Sequence, residues 1–247
     1  MSAAKNMQIS SYTRRAVSAV IMIISAAILA GGCDRLPGKP GPADLPLRPS
    51  NVLDFATLYS ENCAGCHGPN GSFGAALPLN NPVYLAMVDD STLIRVIANG
   101  IDGTAMPPFA LQSGGQLTNQ QVAIIIAGMR SHWQNGAVPA AGQPPYTATG
   151  GDPARGAQVY VAACQSCHGP DGKGSDKAGS IVDPSFLSLV SAQELRSIVI
   201  AGRPDLGHPD WRGYVAGKPL DAGQITDLIA WIIAQKPTIG LTAPSAP

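Results

Sequence analysis

The chain has 247 residues, 45% of them hydrophobic and only 13% charged, with 28 Gly, 22 Pro and few aromatics, which bounds it to one or two domains and excludes a coiled coil or a multi-span membrane protein. Formal net charge is zero, but Lys5, Arg14 and Arg15 fall in an N-terminal segment that contains no acid. Without that segment acidic residues exceed basic ones, which is unsuited to phosphate backbones, so nucleic acid is excluded as a partner.

In chain order, the three basic residues precede an apolar stretch from Ala16 to Ala30, followed by Gly31, Gly32 and Cys33. A basic start, an apolar middle and small residues before a cut site make a signal peptide over residues 1–32. Cys33 directly after the small residues resembles a bacterial lipoprotein signal, in which that cysteine is lipidated and becomes the new N-terminus. Leu29 stands four rather than three residues before the Cys, so a plain secretory signal or an uncleaved anchor remains open. Residues 33–50 then carry Pro37, Pro40, Pro42, Pro46 and Pro49. Proline presets extended backbone and removes amide donors, so this stretch is expected to be a semi-rigid tether.

The other four cysteines form Cys63-Ala64-Gly65-Cys66-His67 and Cys164-Gln165-Ser166-Cys167-His168. C-x-x-C-H is the attachment signature of haem c: two thiols add to the vinyl groups and the adjacent His supplies an axial imidazole to iron. A redox dithiol, a zinc half-site or disulfides are the alternatives, but a dithiol needs no His. The motifs belong to a repeated unit. Tyr59 and Tyr160 precede the first Cys of each by four residues, and Gly68-Pro69-Asn70-Gly71 is matched by Gly169-Pro170-Asp171-Gly172.

Each unit is expected to open with a helix: residues 52–62 in the first, and in the second a helix capped by Asp152 with Pro153 at its first position. Middle helices are expected over 91–99 and 191–201, stopped by Gly100 and Gly202. Thr118 with Gln121 and Asp221 with Gln224 have capping-box spacing before apolar runs suited to packing on the first helix. No alternating strand pattern appears, so the expected class is all-α.

On these residues each half resembles a class I cytochrome c domain. The resemblance implies two tandem domains, at 51–136 and 150–238, with helices packed around one covalently bound haem c each. Residues 137–149 are then a linker and 239–247 a tail. In that family the far side of the iron is usually held by a Met in a proline-containing loop, about forty residues after the haem-binding His. Met106-Pro107-Pro108-Phe109 occupies that place in the first half. The second half contains no Met, and His208-Pro209-Asp210-Trp211 stands there instead. The resemblance therefore implies His67 and Met106 on one iron, and His168 and His208 on the other, while Met87 and Met129 read as core. His132 reads as a surface residue.

A thioether favours ferrous iron, whereas a second imidazole favours ferric iron. Electrons are therefore expected to run from the second haem to the first. The expected function is single-electron transfer between redox partners by a lipid-anchored protein on the periplasmic face of a bacterial membrane. A quinol-oxidising complex is a candidate donor, and an oxidase, reductase or photosynthetic centre a candidate acceptor. Two alternatives stand: a cytochrome subunit of a larger respiratory or photosynthetic complex, which the loop 171–186 resembles, and a di-haem enzyme of peroxidase or thiosulfate-oxidising type. Lys173, Lys177, Arg196, Arg203, Arg212 and Lys218 are candidates for a docking face, with ordinary solubility as the simpler explanation.

Overall fold

The computed structural model describes residues 22, 40–41, 45–134 and 142–236. The chain divides into two compact units, 1–48 and 49–247. The signal cut site, Cys33 and the tail 239–247 lie outside the described residues. Among those described, no helix is long and apolar enough to cross a membrane.

The second unit holds ten α-helices among the described residues: α1 (Phe55–Asn62), α2 (Ala64–His67), α3 (Pro82–Met87), α4 (Asp90–Asn99), α5 (Asn119–Trp133), α6 (Pro153–Ala163), α7 (Gln165–His168), α8 (Pro184–Leu189), α9 (Ala192–Ala201) and α10 (Ala222–Ala234). The same order of five occurs twice. The described residues contain no strand, only isolated bridges at Ala110–Leu117 and Arg203–His208, so the all-α expectation holds.

Polar caps set the helix starts. Thr118 with Gln121, and Asp221 with Gln224, close full capping boxes at the heads of α5 and α10, each satisfying amide groups that the first turn leaves without partners. Asp152 caps α6 and Ser191 caps α9. Two expected starts shift. The first helix begins at Phe55 rather than at 52, because Asp54 is extended and its carboxylate accepts the Thr57 N–H. The middle helix begins at Asp90, because Asp89 caps it through Thr92 N–H. The short helices α3 and α8 were not anticipated; Asn81-Pro82 and Asp183-Pro184 start them with a capping side chain followed by a proline.

In each half the first and last helices cross through a glycine. A Cβ on Gly128 of α5 would lie 2.1 Å from the ring of Phe55 on α1. One on Gly156 of α6 would lie 2.0 Å from the Asp227 carbonyl oxygen of α10. The glycine thus sits on the last helix in one half and on the first in the other. Around the crossings, Ile125, Ile126 and Met129 of α5 and Ile225, Leu228 and Ile232 of α10 are buried, each stabilising its half by about 1.5–3 kcal/mol of apolar transfer. Met129 is core as expected, and Met87 packs against it half-buried.

Half-buried and buried arginines fasten the loops. Arg130 of α5 donates to Asp90 and to the carbonyls of Leu85 and Val88, pinning the end of α3. Arg196 of α9 is 3% exposed and donates to the carbonyls of Pro145 and Tyr146 and to the Thr226 hydroxyl. The connector is therefore fastened to the second half, while Gln143 reaches the Val83 carbonyl of the first. Arg196, and Arg203 at 8% exposure, cannot belong to an exposed basic docking face; their guanidinium groups are used internally.

Candidate functional site

Each C-x-x-C-H motif follows a first helix without interruption. The N–H groups of Cys66 and His67 both return to the Cys63 carbonyl, and those of Cys167 and His168 to that of Cys164. This tight turn puts both thiols and the imidazole of each motif on consecutive turns of backbone. The first thiol of each pair is half-buried and the second exposed, with no disulfide. Burial, followed by the neighbouring thiol, pushes Cys63 and Cys164 each up to about 12.

Both proximal histidines are held by one ring nitrogen. Nδ1 of His67 donates to the Leu77 carbonyl at 2.7 Å, and Nδ1 of His168 to the Gly179 carbonyl at 2.9 Å, the tautomer being the one that a carbonyl partner requires. That leaves Nε2 of each as the donor atom for iron, fixed by its neighbour in the way that metal-binding imidazoles commonly are. Burial lowers the pKa of His67, with the charge of Arg203 adding to it, so the ring is neutral and competent to bind a metal. Tyr59 and Tyr160 donate their hydroxyls to the carbonyls of Gly68 and Gly169, tying each motif to the loop that follows it. Trp133 and Trp231 pack on those tyrosine rings from the last helices.

The two distal candidates occupy matching loops. Gly100 and Gly202 end the middle helices with φ of +69° and +73°; a Cβ there would lie 2.6 Å from Pro107 and 2.6 Å from Pro209, respectively. Only glycine lets the Met106 and His208 loops fold back so closely on the helix ends. Met106 is half-buried, its N–H held by Thr104 Oγ1 and its carbonyl by Ile101 N–H.

In the second half the rings of His168 and His208 lie edge-on to one another, with centroids 6.1 Å apart and planes at 62°. Two metal–imidazole bonds of about 2 Å, plus about 1.1 Å from each nitrogen to its ring centre, give about 6 Å. The centroid spacing matches what two imidazoles sharing one metal atom would have. Nδ1 of His208 is buried with no hydrogen-bond partner among the described residues. Burial first, then the proximity of His168, brings its pKa down to about 4, keeping it neutral. Tyr214, which the sequence did not single out, lies edge-on to His208 at 5.4 Å and is anchored by its hydroxyl to the Val199 carbonyl. His132 is exposed and stacks on Phe55, away from both motifs in the chain and in keeping with its expected surface place.

The family model described as cytochrome c oxidase, cbb3-type, subunit III matches residues 50–127 and 151–232, one match per half. A cbb3-type cytochrome c oxidase subunit FixPc of Rhizobium leguminosarum bv. viciae is 33% identical over 185 residues, covering 69% of this chain and 58% of the relative. A subunit FixP of Sinorhizobium medicae is 31% identical over 134 residues, covering 51% and 41%. The chain thus spans about half the length of these curated relatives. Among solved structures, a reducing HAO-like protein complex of Kuenenia stuttgartiensis aligns at a TM-score of 0.43 and 18% identity, over 74% of this chain and 95% of that one.

Proposed function

Because the chain belongs to the cbb3-type cytochrome c oxidase subunit III family and is a two-haem c-type cytochrome, we propose that it is an electron-transfer subunit feeding a respiratory oxidase of the cbb3 type. The haems, when bound, supply reversible one-electron exchange between ferric and ferrous iron. The residues do the rest. Cys63, Cys66, Cys164 and Cys167 would hold the haems as thioethers, and His67 and His168 would ligate the irons. Met106 would complete the first site and His208 the second. The observation that supports this reading is the 6.1 Å spacing of His168 and His208, at which both imidazoles would be available to one iron.

Ligand identity gives the pair a direction. The two imidazoles of the second half favour the ferric state and the thioether of Met106 favours the ferrous state, so electrons enter at the second half and leave from the first. A donor that oxidises quinol and an oxidase as acceptor suit this order. Lipidation of Cys33 supplies the membrane attachment on the periplasmic side, and the proline-rich segment 33–50 supplies reach. The domain limits 51–136 and 150–238 belong to the same proposal; the connector's hydrogen bonds to both halves make it a strap rather than a loose link.

Redox titration of the purified protein, followed by optical and EPR spectra, tests the reading. Two low-spin, six-coordinate haems of different midpoint, inert to carbon monoxide and peroxide, support it. A high-spin haem that binds those ligands overturns it in favour of an enzyme. Co-purification with an oxidase in mild detergent distinguishes a subunit from a free carrier.

A further inference from the structure

The two halves meet at several places: α3 packs on α9, the Ala105 N–H donates to the Leu189 carbonyl, and a set of side-chain hydrogen bonds joins two short segments. In the first half the segment is 73–81, and it carries the Leu77 carbonyl that orients His67. Its Gly74 lies so close to the first motif that a Cβ there would stand 2.2 Å from the Cys66 carbonyl oxygen and 2.5 Å from His67. In the second half the segment is 201–208, which ends on His208. Arg203 donates to the Gly74 carbonyl at 2.8 Å and grips Asp205 with two nitrogens at 2.8 and 3.1 Å. Asp205 in turn accepts the Phe73 N–H at 2.9 Å. Asn81 caps α3 with its oxygen and donates its amide to the Ala201 carbonyl. On its own side, Arg203 exchanges both backbone hydrogen bonds with His208.

Resting on the two-haem reading above, we propose that Arg203 and Asp205 are a positioning pair: they bind the loop that carries His208 to the loop that orients His67, and so couple the redox properties of the two sites. Neither residue lies in an attachment motif or ligates iron.

Three observations support the assignment. Both side chains are nearly excluded from water, at 10% and 4% exposure, so the pair is not a surface ion pair and is screened by salt much less than one would be. Phe73 is the non-glycine residue with positive φ among those described, at +62°. A bulky residue persists in that region only where its surroundings hold it there, and its N–H is held by Asp205 from the other half. Finally, the guanidinium has a fork of donors that a lysine lacks, and it uses that fork to reach a carboxylate and a carbonyl on opposite sides of the contact.

The charge arrangement makes the idea testable, because net charge near a haem sets its potential. Removing the cation exposes the sites to an unbalanced carboxylate and stabilises ferric iron; removing the anion does the reverse. Arg203→Gln, Asp205→Asn and the double variant, each as full-length haem-loaded protein, are titrated with both haems resolved by EPR. The expected result is a downward midpoint shift for Arg203→Gln, an upward shift for Asp205→Asn and an intermediate value for the double variant, with the His208-site EPR signal altered in both single variants. Shifts of the same sign in both single variants overturn the proposal, as does a pair of unchanged midpoints, since a purely structural contact has no reason to produce opposite signs. Should Arg203→Gln fail to accumulate, Arg203→Lys takes its place. Its retained charge is expected to hold the midpoints near wild type while the lost fork still alters the His208-site EPR signal and Asp205→Asn raises the midpoints; lowered midpoints or an unaltered signal in Arg203→Lys overturn the proposal. Haem content measured on every preparation separates a failure of the two-haem reading from a failure of the pair.

Discussion

Replacing Gly156 with alanine tests whether the crossing of α6 and α10 is as tight as the geometry requires. The added Cβ would lie 2.0 Å from the Asp227 carbonyl oxygen, 2.6 Å from the Asp227 carbonyl carbon and 2.7 Å from Trp231 Cβ, where ordinary contact begins at 3.4 Å. The helices must part by about 1.4 Å, because two of the obstacles are main-chain atoms that no rotamer change can move. Overpacking of this kind costs typically 1–3 kcal/mol, and the rigid obstacle points to the upper end. Alanine's better helix propensity returns about 1 kcal/mol, leaving a net loss of about 2 kcal/mol. Gly128→Ala is the internal control. Its Cβ meets the Phe55 ring, a side chain that can swing aside, so its loss is expected to be smaller, at most about 1 kcal/mol. Urea denaturation of the haem-loaded protein, followed by far-ultraviolet circular dichroism, measures both. Equal stability of Gly156→Ala and wild type, or a larger loss in Gly128→Ala, would refute the reasoning.

Further expectations concern ligation, the connector and acid. His208→Met is expected to raise the lower of the two midpoints, and Met106→His to lower the higher one, by redox titration; the reverse signs would undo the ligand assignment. Arg196→Met leaves the Pro145 carbonyl without its donor, while the Tyr146 carbonyl keeps the one from Gln193. It is expected to cost about 2 kcal/mol and to speed proteolysis in the connector 142–151, read as cleavage rate against wild type. The Asp227 carboxyl is held below its ordinary value by its hydrogen bonds from Arg155 and from the Asp152 N–H. A depressed folded-state value adds stability above the unfolded carboxylate pKa of about 4, lost as pH falls toward the folded one. Asp227→Asn is therefore expected to flatten the decline in stability below about pH 4 in acid-titrated unfolding.

What could be read from the sequence was whatever is written locally. The capping boxes at Thr118 and Asp221, the proline behind Asp152 and the helix-ending Gly100 and Gly202 were all legible, since each acts within four residues. The short helices α3 and α8 escaped because six residues are too few for a periodicity, although Asn81-Pro82 and Asp183-Pro184 carried the start signal. The early start assigned to the first helix ignored Asp54, a stronger cap than anything before it. The fates of Arg196 and Arg203 could not be read at all: a basic residue in a loop or helix appears solvent-facing until the chain brings carbonyls around it. Tyr214 and Asn81 were missed for the same reason. Their partners, His208 and Ala201, lie on other elements and are set by tertiary packing.

The stoichiometry of covalent haem bears most directly on the central assignment. Pyridine hemochrome absorbance per mole of protein, taken with intact mass, is expected to show two haem c groups on each chain, falling to one when Cys63 and Cys66 are both replaced by alanine. A wild-type chain carrying one group or none, or a double variant that keeps two, would contradict it.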